Sequence, residues 1–261
     1  MQDSTPQLEQ RLRTVSDIQK RMADLHPCLA LRYPVAVATG RTLHIYEAEE
    51  PTGSYRFSKT DDLPMAVPPG VRAAFPLDAL AGRPACVITA DAFDTAEGRV
   101  EIFHEFVHCY QWEGCEPQLR ETLTLAKQAA ASGGPMWEIA YPFPHDMGVA
   151  RTYRQWMTVV EGRGIGLSRS PRIGFREQIS ELDWEYATWQ EWKEGFARWV
   201  ENRIRNRLGL PQNRNGRDGD FSRVTFYAGG AALIAQLVEQ SPTLAENLEA
   251  LFEAIRACGE P

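Results

Sequence analysis

The stretch VEIFHEFVHCYQW, Val100 to Trp112, sets His104 and His108 four residues apart, with Glu105 directly after the first. On an α-helix, residues four apart lie nearly one above the other, so both imidazoles project from one face and can share one metal ion. Glu105 falls about 100° round the helix from His104. There it flanks the metal rather than binding it, as suits a general base acting on metal-bound water. Glu101, Gln111 and Trp112 lie near the histidine face, while Ile102, Phe103, Phe106, Val107 and Tyr110 cover the remainder. A helix with that pattern is buried, its polar stripe opening on a cavity. The plain alternative is a core helix whose two histidines are satisfied by their neighbours.

Two histidines do not complete a catalytic zinc site, which takes three protein ligands and keeps an open position for water. The extended pattern H-E-x-x-H-x-x-G-x-x-H is excluded, because Gln111 stands at its glycine and Gly114 at its third histidine. His145, in the proline-flanked YPFPHDMG, is the only other histidine downstream. The remaining solution is a glutamate from a second helix. TWQEWKEGFARWVENRI supplies a candidate: Trp189, Trp192, Phe196, Trp199 and Val200 form a heavy apolar face, with Glu194, Ala197, Arg198 and Glu201 opposite. That opposite side either faces solvent or, with Gly195 and Ala197 admitting a neighbouring helix, carries Glu194 to a metal. Glu201, two turns beyond Glu194, is placed to accept the second N–H of a histidine ligand.

HEFVH followed by WKEGFARWVE resembles the two signature helices of the gluzincin metallopeptidases, and the second is most similar to that of the zinc aminopeptidases in this clan. The resemblance implies a zincin-like metallopeptidase core with one Zn2+ per chain, His104, His108 and Glu194 as its ligands and Glu105 as the catalytic glutamate. VTFYAGGAALIAQLVEQ is similar to a later helix of the family, whose tyrosine steadies the oxyanion, and this implies that role for Tyr227. Tyr141, Tyr153 and His145 are alternative donors. The resemblance also implies that the strand ACVITA pairs with an extended peptide, a sound use of a sheet edge. Where the aminopeptidases have a short helical hairpin, this chain has 85 residues between His108 and Glu194 (109 through 193). Their motif for a free amino group is not found. The expected activity is hydrolysis of a peptide or small amide bond by Glu-assisted attack of zinc-bound water. A zinc hydrolase of a non-peptide amide and a catalytically inactive binding or regulatory protein are the alternatives.

The elements that must position these residues read as one α+β domain over 1–261. Residues 5–25 carry apolar positions at helical spacing, with Thr5 as N-cap and Pro6 at the first helical position. From Cys28 to Ala90, CLALRYPVAVA, TLHIYEA, SYRFS and ACVITA are separated by Gly, Pro and Asp, predicting a small mixed or antiparallel sheet. Residues 1–97 thus hold a helix and sheet, and 98–261 a helical catalytic part with a long insertion at about 115–180. Helices are predicted over 98–113, 117–131, 147–162, 174–207 (broken near Asp183), 223–239 and 242–257. Loops are predicted for ASGGPMWEIAYPFPHDMG and RGIGLSRSPRIG. The arginine-rich runs EGRGIGLSRSPRIGFR and NRIRNRLGLPQNRNGR read as solvated loops and helix ends.

Composition narrows the setting. A hydrophobic share of 43% with 7 Trp, 8 Tyr and 11 Phe fills a core without a disulfide framework. The 5 cysteines, odd in number and unevenly spaced, read as reduced thiols. Their reduction, MQDSTPQLEQRLR without a signal-peptide core, and the lack of a run of about 18 apolar residues predict a soluble cytoplasmic protein with no membrane partner. The net charge of −7 argues against nucleic acid. Oligomeric state is left open.

Overall fold

Ser4, rather than Thr5, begins the first helix: its backbone N–H donates to the Gln7 side chain at 2.7 Å, and α1 runs Thr5–Met22. This computed structural model describes residues 4–133, 137, 138, 147–163 and 165–259. The chain is α+β, mostly helical with one five-stranded mixed sheet, and its packing divides it into two units. One comprises Met1–Glu113 with Val200–Gln212, the other Gly114–Trp199 with Asn213–Pro261. Among the described residues, no helix is long and apolar enough to cross a membrane.

The first unit holds the sheet, with strands β1 (Val35–Thr39), β2 (Thr42–Glu49), β3 (Ser54–Asp62), β4 (Arg72–Leu77) and β5 (Arg83–Thr89). Their order is β3-β2-β1-β5-β4; β1 and β5 run parallel, with Val35 beside Cys86, and all other pairs are antiparallel. The central strands are buried on both faces, which is why VAVA and ACVI read as unbroken apolar runs. Ala36, Ala38, Leu43, Ile45, Ala85 and Val87 form one cluster of the core. On the alternate positions, Cys86 reaches the Ile102 carbonyl of the next helix, α2 (Ala96–Gly114), at 3.9 Å. β4 is absent from the sequence reading because RAAFPL holds a proline. Pro76 is tolerated because β4 is an edge strand, where a missing N–H breaks no ladder.

The second unit contains α3 (Glu116–Thr122), α4 (Thr124–Ala131), α5 (Met147–Arg163), α6 (Ile165–Arg176), most of α7 (Glu181–Leu208), α8 (Arg223–Gln240) and α9 (Leu248–Ala257). Three expectations need correction. The helix expected over 117–131 is two, because Leu123 is extended and the Glu185 carboxylate caps α4 by accepting from the Thr124 and Leu125 N–H groups at 3.2 and 2.9 Å. RGIGLSRSPRIG is not a loop but most of α6, with Pro171 inside it. Phe175 and Arg172 of that helix are buried, and their packing outweighs the local preference of Gly and Pro. The break expected near Asp183 falls just before Glu181, where Ser180 and Asp183 cap one another and start α7. The segment 242–257 opens with a 3-10 turn at Pro242–Ala245, and Asn247 then caps α9. The loop expected over 131–148 lies mostly outside the described residues.

Candidate metal centre

α2 starts where the Thr95 hydroxyl accepts from the Gly98 N–H at 2.9 Å, and Gly98 is required because a Cβ there would collide with the Ala92 backbone. From Val100 to Gln111 the helix is buried almost all round, so its histidines are held by the core rather than by solvent. The rings of His104 and His108 meet edge to face, their centroids 4.9 Å apart. Behind His104, Nδ1 lies 3.1 Å from Oε2 of the buried Glu201, near the C-terminus of α7. Oε1 of Glu201 accepts from Arg205 Nε at 2.7 Å, and Arg205 donates again to the Pro211 carbonyl. Behind His108, Nδ1 lies 2.9 Å from Oε1 of the fully buried Gln111. A carboxylate oxygen and an amide oxygen only accept hydrogen bonds. Each imidazole therefore donates through Nδ1–H, which puts its lone pair on Nε2 and fixes the ring. Glu105, next in the chain, is a buried carboxylate at 7% exposure.

Glu194 is delivered by a close helix crossing. Gly195 on α7 faces Gly230 on α8; a Cβ on Gly195 would stand 2.7 Å from the Gly230 Cα, and one on Gly230 would strike the Glu191 backbone. Trp189, Trp192 and Phe196 fill the apolar side of α7. The opposite side is not a solvated face: Ala197, Arg198 and Glu201 are buried and Glu194 is half-buried. Ligand atoms of His104, His108 and Glu194 all lie within 4.8 Å of one another, so these three residues can hold one metal ion.

Tyr227 lies on α8, one turn before that crossing, and is buried at 8% exposure. Burial first, and then the Glu194 carboxylate, push its phenol well above the usual tyrosine range, outweighing the opposing cations Arg223 and Arg198. Of the alternative donors, Tyr153 is committed elsewhere: its hydroxyl donates to Glu191 Oε1 at 2.8 Å inside the core. Tyr141 and His145 lie outside the described residues. Glu101 is drawn to Arg72 of β4, 3.2 Å from its Nε.

Two further expectations are overturned. ACVITA is no free edge, since β5 is hydrogen-bonded to β1 on one side and β4 on the other. The sheet edges are β3 and β4. Nor are the arginine-rich runs wholly solvated. Arg172 is 1% exposed, paired with Glu191 at 2.6 Å and flanked by the rings of Trp156 and Trp184; Arg205 is buried against Glu201. Gln111 and Arg205 were given no role by sequence reasoning. The one available signal was spacing: Gln111 is three residues after His108, and Arg205 four after Glu201. All five cysteines are free thiols. No protein-family model, curated protein or solved structure matches the chain.

Proposed function

We propose that this chain is a zinc-dependent hydrolase of peptide or related amide bonds, with a gluzincin-type active centre. The observation that carries this reading is the meeting of His104, His108 and Glu194 ligand atoms within 4.8 Å, each histidine held from behind by a buried oxygen. Two imidazole nitrogens and one carboxylate oxygen are the donor set of a catalytic zinc that keeps a position open; structural sites are closed by four ligands, commonly including thiolates. When bound, the ion would polarise a substrate carbonyl and bring the pKa of a coordinated water to about 7.

The chain's own groups divide the remaining work. Glu105 takes the proton from the attacking water and delivers it to the leaving nitrogen. Tyr227 donates its hydroxyl to the carbonyl oxygen as negative charge develops there. Because burial and the Glu194 carboxylate hold the phenol protonated, it remains a donor throughout the neutral range. Glu201 and Gln111 hold the Nδ1 side of each histidine, so that Nε2 is the nitrogen that would serve a bound ion. The presence of Glu105 favours catalysis over mere metal storage, because a storage site needs ligands but no base. Free thiols throughout suit a reducing, cytoplasmic setting.

The test is Glu105→Gln, assayed on a panel of peptides and small non-peptide amides. Zinc content is expected to stay at the wild-type level while hydrolysis falls by ~10²–10⁴. Undiminished hydrolysis would remove Glu105 from the mechanism. The panel itself separates a peptidase from a hydrolase of other amides.

A further inference from the structure

Arg223, the first residue of α8, stands one turn before Tyr227 and is half-buried. Its guanidinium lies over the Tyr227 ring, 5.8 Å from the centroid, and the guanidinium of Arg198 lies over the same ring at 5.9 Å. Arg198 is fixed in place: it is 5% exposed, and Nη1 donates to the backbone oxygens of Asn213 and Asn215 at 3.4 and 3.1 Å. Arg223 differs. Among the described residues it makes no hydrogen bond and no ion pair. Contact with a ring face uses its charge but none of its five N–H donors. Nor does helix stability explain a cation here. The first turn of α8 holds no acidic residue, and the N-terminal end of a helix disfavours positive charge. Two cations thus lie over the Tyr227 ring, Arg198 one turn after Glu194 on α7 and Arg223 on α8, and among the described residues no group takes the donors of Arg223.

We infer that Arg223 receives a carboxylate of the substrate, so that preferred substrates carry an anionic group close to the bond being cleaved. This rests on the hydrolase reading above and adds the class of substrate to it. A guanidinium matches a carboxylate with two parallel N–H···O bonds, and the fixed charge of Arg198 over the same ring reinforces the field. Two sources offer this chemistry, the terminal carboxylate of a peptide and an acidic side chain.

Zinc-loaded protein and three peptide hydroxamates test the inference: one with a free terminal carboxylate, one with an acidic side chain and a capped terminus, and one neutral throughout. The wild type is expected to bind one anionic probe about 10- to 100-fold tighter than the neutral one, as a charge-assisted pair provides. Which anionic probe wins identifies the source. In Arg223→Met the preference disappears while affinity for the neutral probe is retained, which also shows that the variant is folded. Arg223→Lys keeps part of the preference, having charge without the paired donors. Equal wild-type affinity for all three probes, or a preference that survives Arg223→Met, overturns the inference alone. Failure of every hydroxamate to bind overturns the zinc-hydrolase reading and this one with it.

Discussion

Glu201 serves two neighbours at once, taking Nδ1–H of His104 on one oxygen and Arg205 on the other. Removing such a partner behind a metal-binding histidine typically lowers metal affinity ~10–100-fold. Glu201→Ala is therefore expected to weaken zinc binding by about that factor in competition with a chelating dye. Glu201→Gln, whose amide oxygen still accepts, should lose less. Affinity unchanged in both variants would contradict the role assigned to Glu201. At this scale much was legible. The pairing of His104 with His108 could be read because it is local, set by one helix turn, and the placement of Glu194 and Glu201 because α7 has a clear apolar period. Gln111 could not be assigned, since an amide near a histidine has many possible partners before the helix is placed. Arg205 sits among arginines that look alike in sequence, and only burial singles it out.

Between elements, backbone contact sets the geometry. Gly195 and Gly230 let α7 and α8 touch at the turn that carries Glu194. A methyl group at Gly230 has no flexible neighbour to displace, because it would meet the Glu191 backbone. Gly230→Ala should destabilise the fold by ~1–3 kcal/mol in urea titration, the usual range for overpacking. Stability equal to wild type would mean that the helices can part without strain. The small residues were readable as a place of close approach, but their partner was not. α6 is not legible in sequence because its stability comes from Phe175 and the buried Arg172–Glu191 pair rather than from local propensity.

β4, hidden by its proline, is tied at one end by Arg72, which donates to Asp91 at 2.8 Å and to Glu101. Burial raises the Asp91 carboxyl, but hydrogen bonds from Arg72 and Thr89 outweigh it and hold the group down to about 2. Its unfolded value is about 3.9. The native state therefore gains from ionised Asp91 above roughly pH 4, and the gain fades as pH falls towards 2. Asp91→Asn should be less stable than wild type at neutral pH, with the difference closing over that interval in acid denaturation. A difference independent of pH would exclude this linkage.

For the molecule as a whole, fold class was open to sequence because the texture changes once, from short β-favouring runs to helical periods after Gly98. What composition could not show is that buried charge reaches deep into the helical unit, where Arg172 pairs with Glu191 and its guanidinium lies over the rings of Trp156 and Trp184. His108 and Glu194, with 85 residues between them in the chain, are proposed to serve one ion. Elemental analysis of the purified wild type beside Glu194→Ala tests this most directly. One zinc per wild-type chain is expected, and little or none in the variant. Zinc retained in full by Glu194→Ala, or absent from the wild type even when supplied, would contradict it.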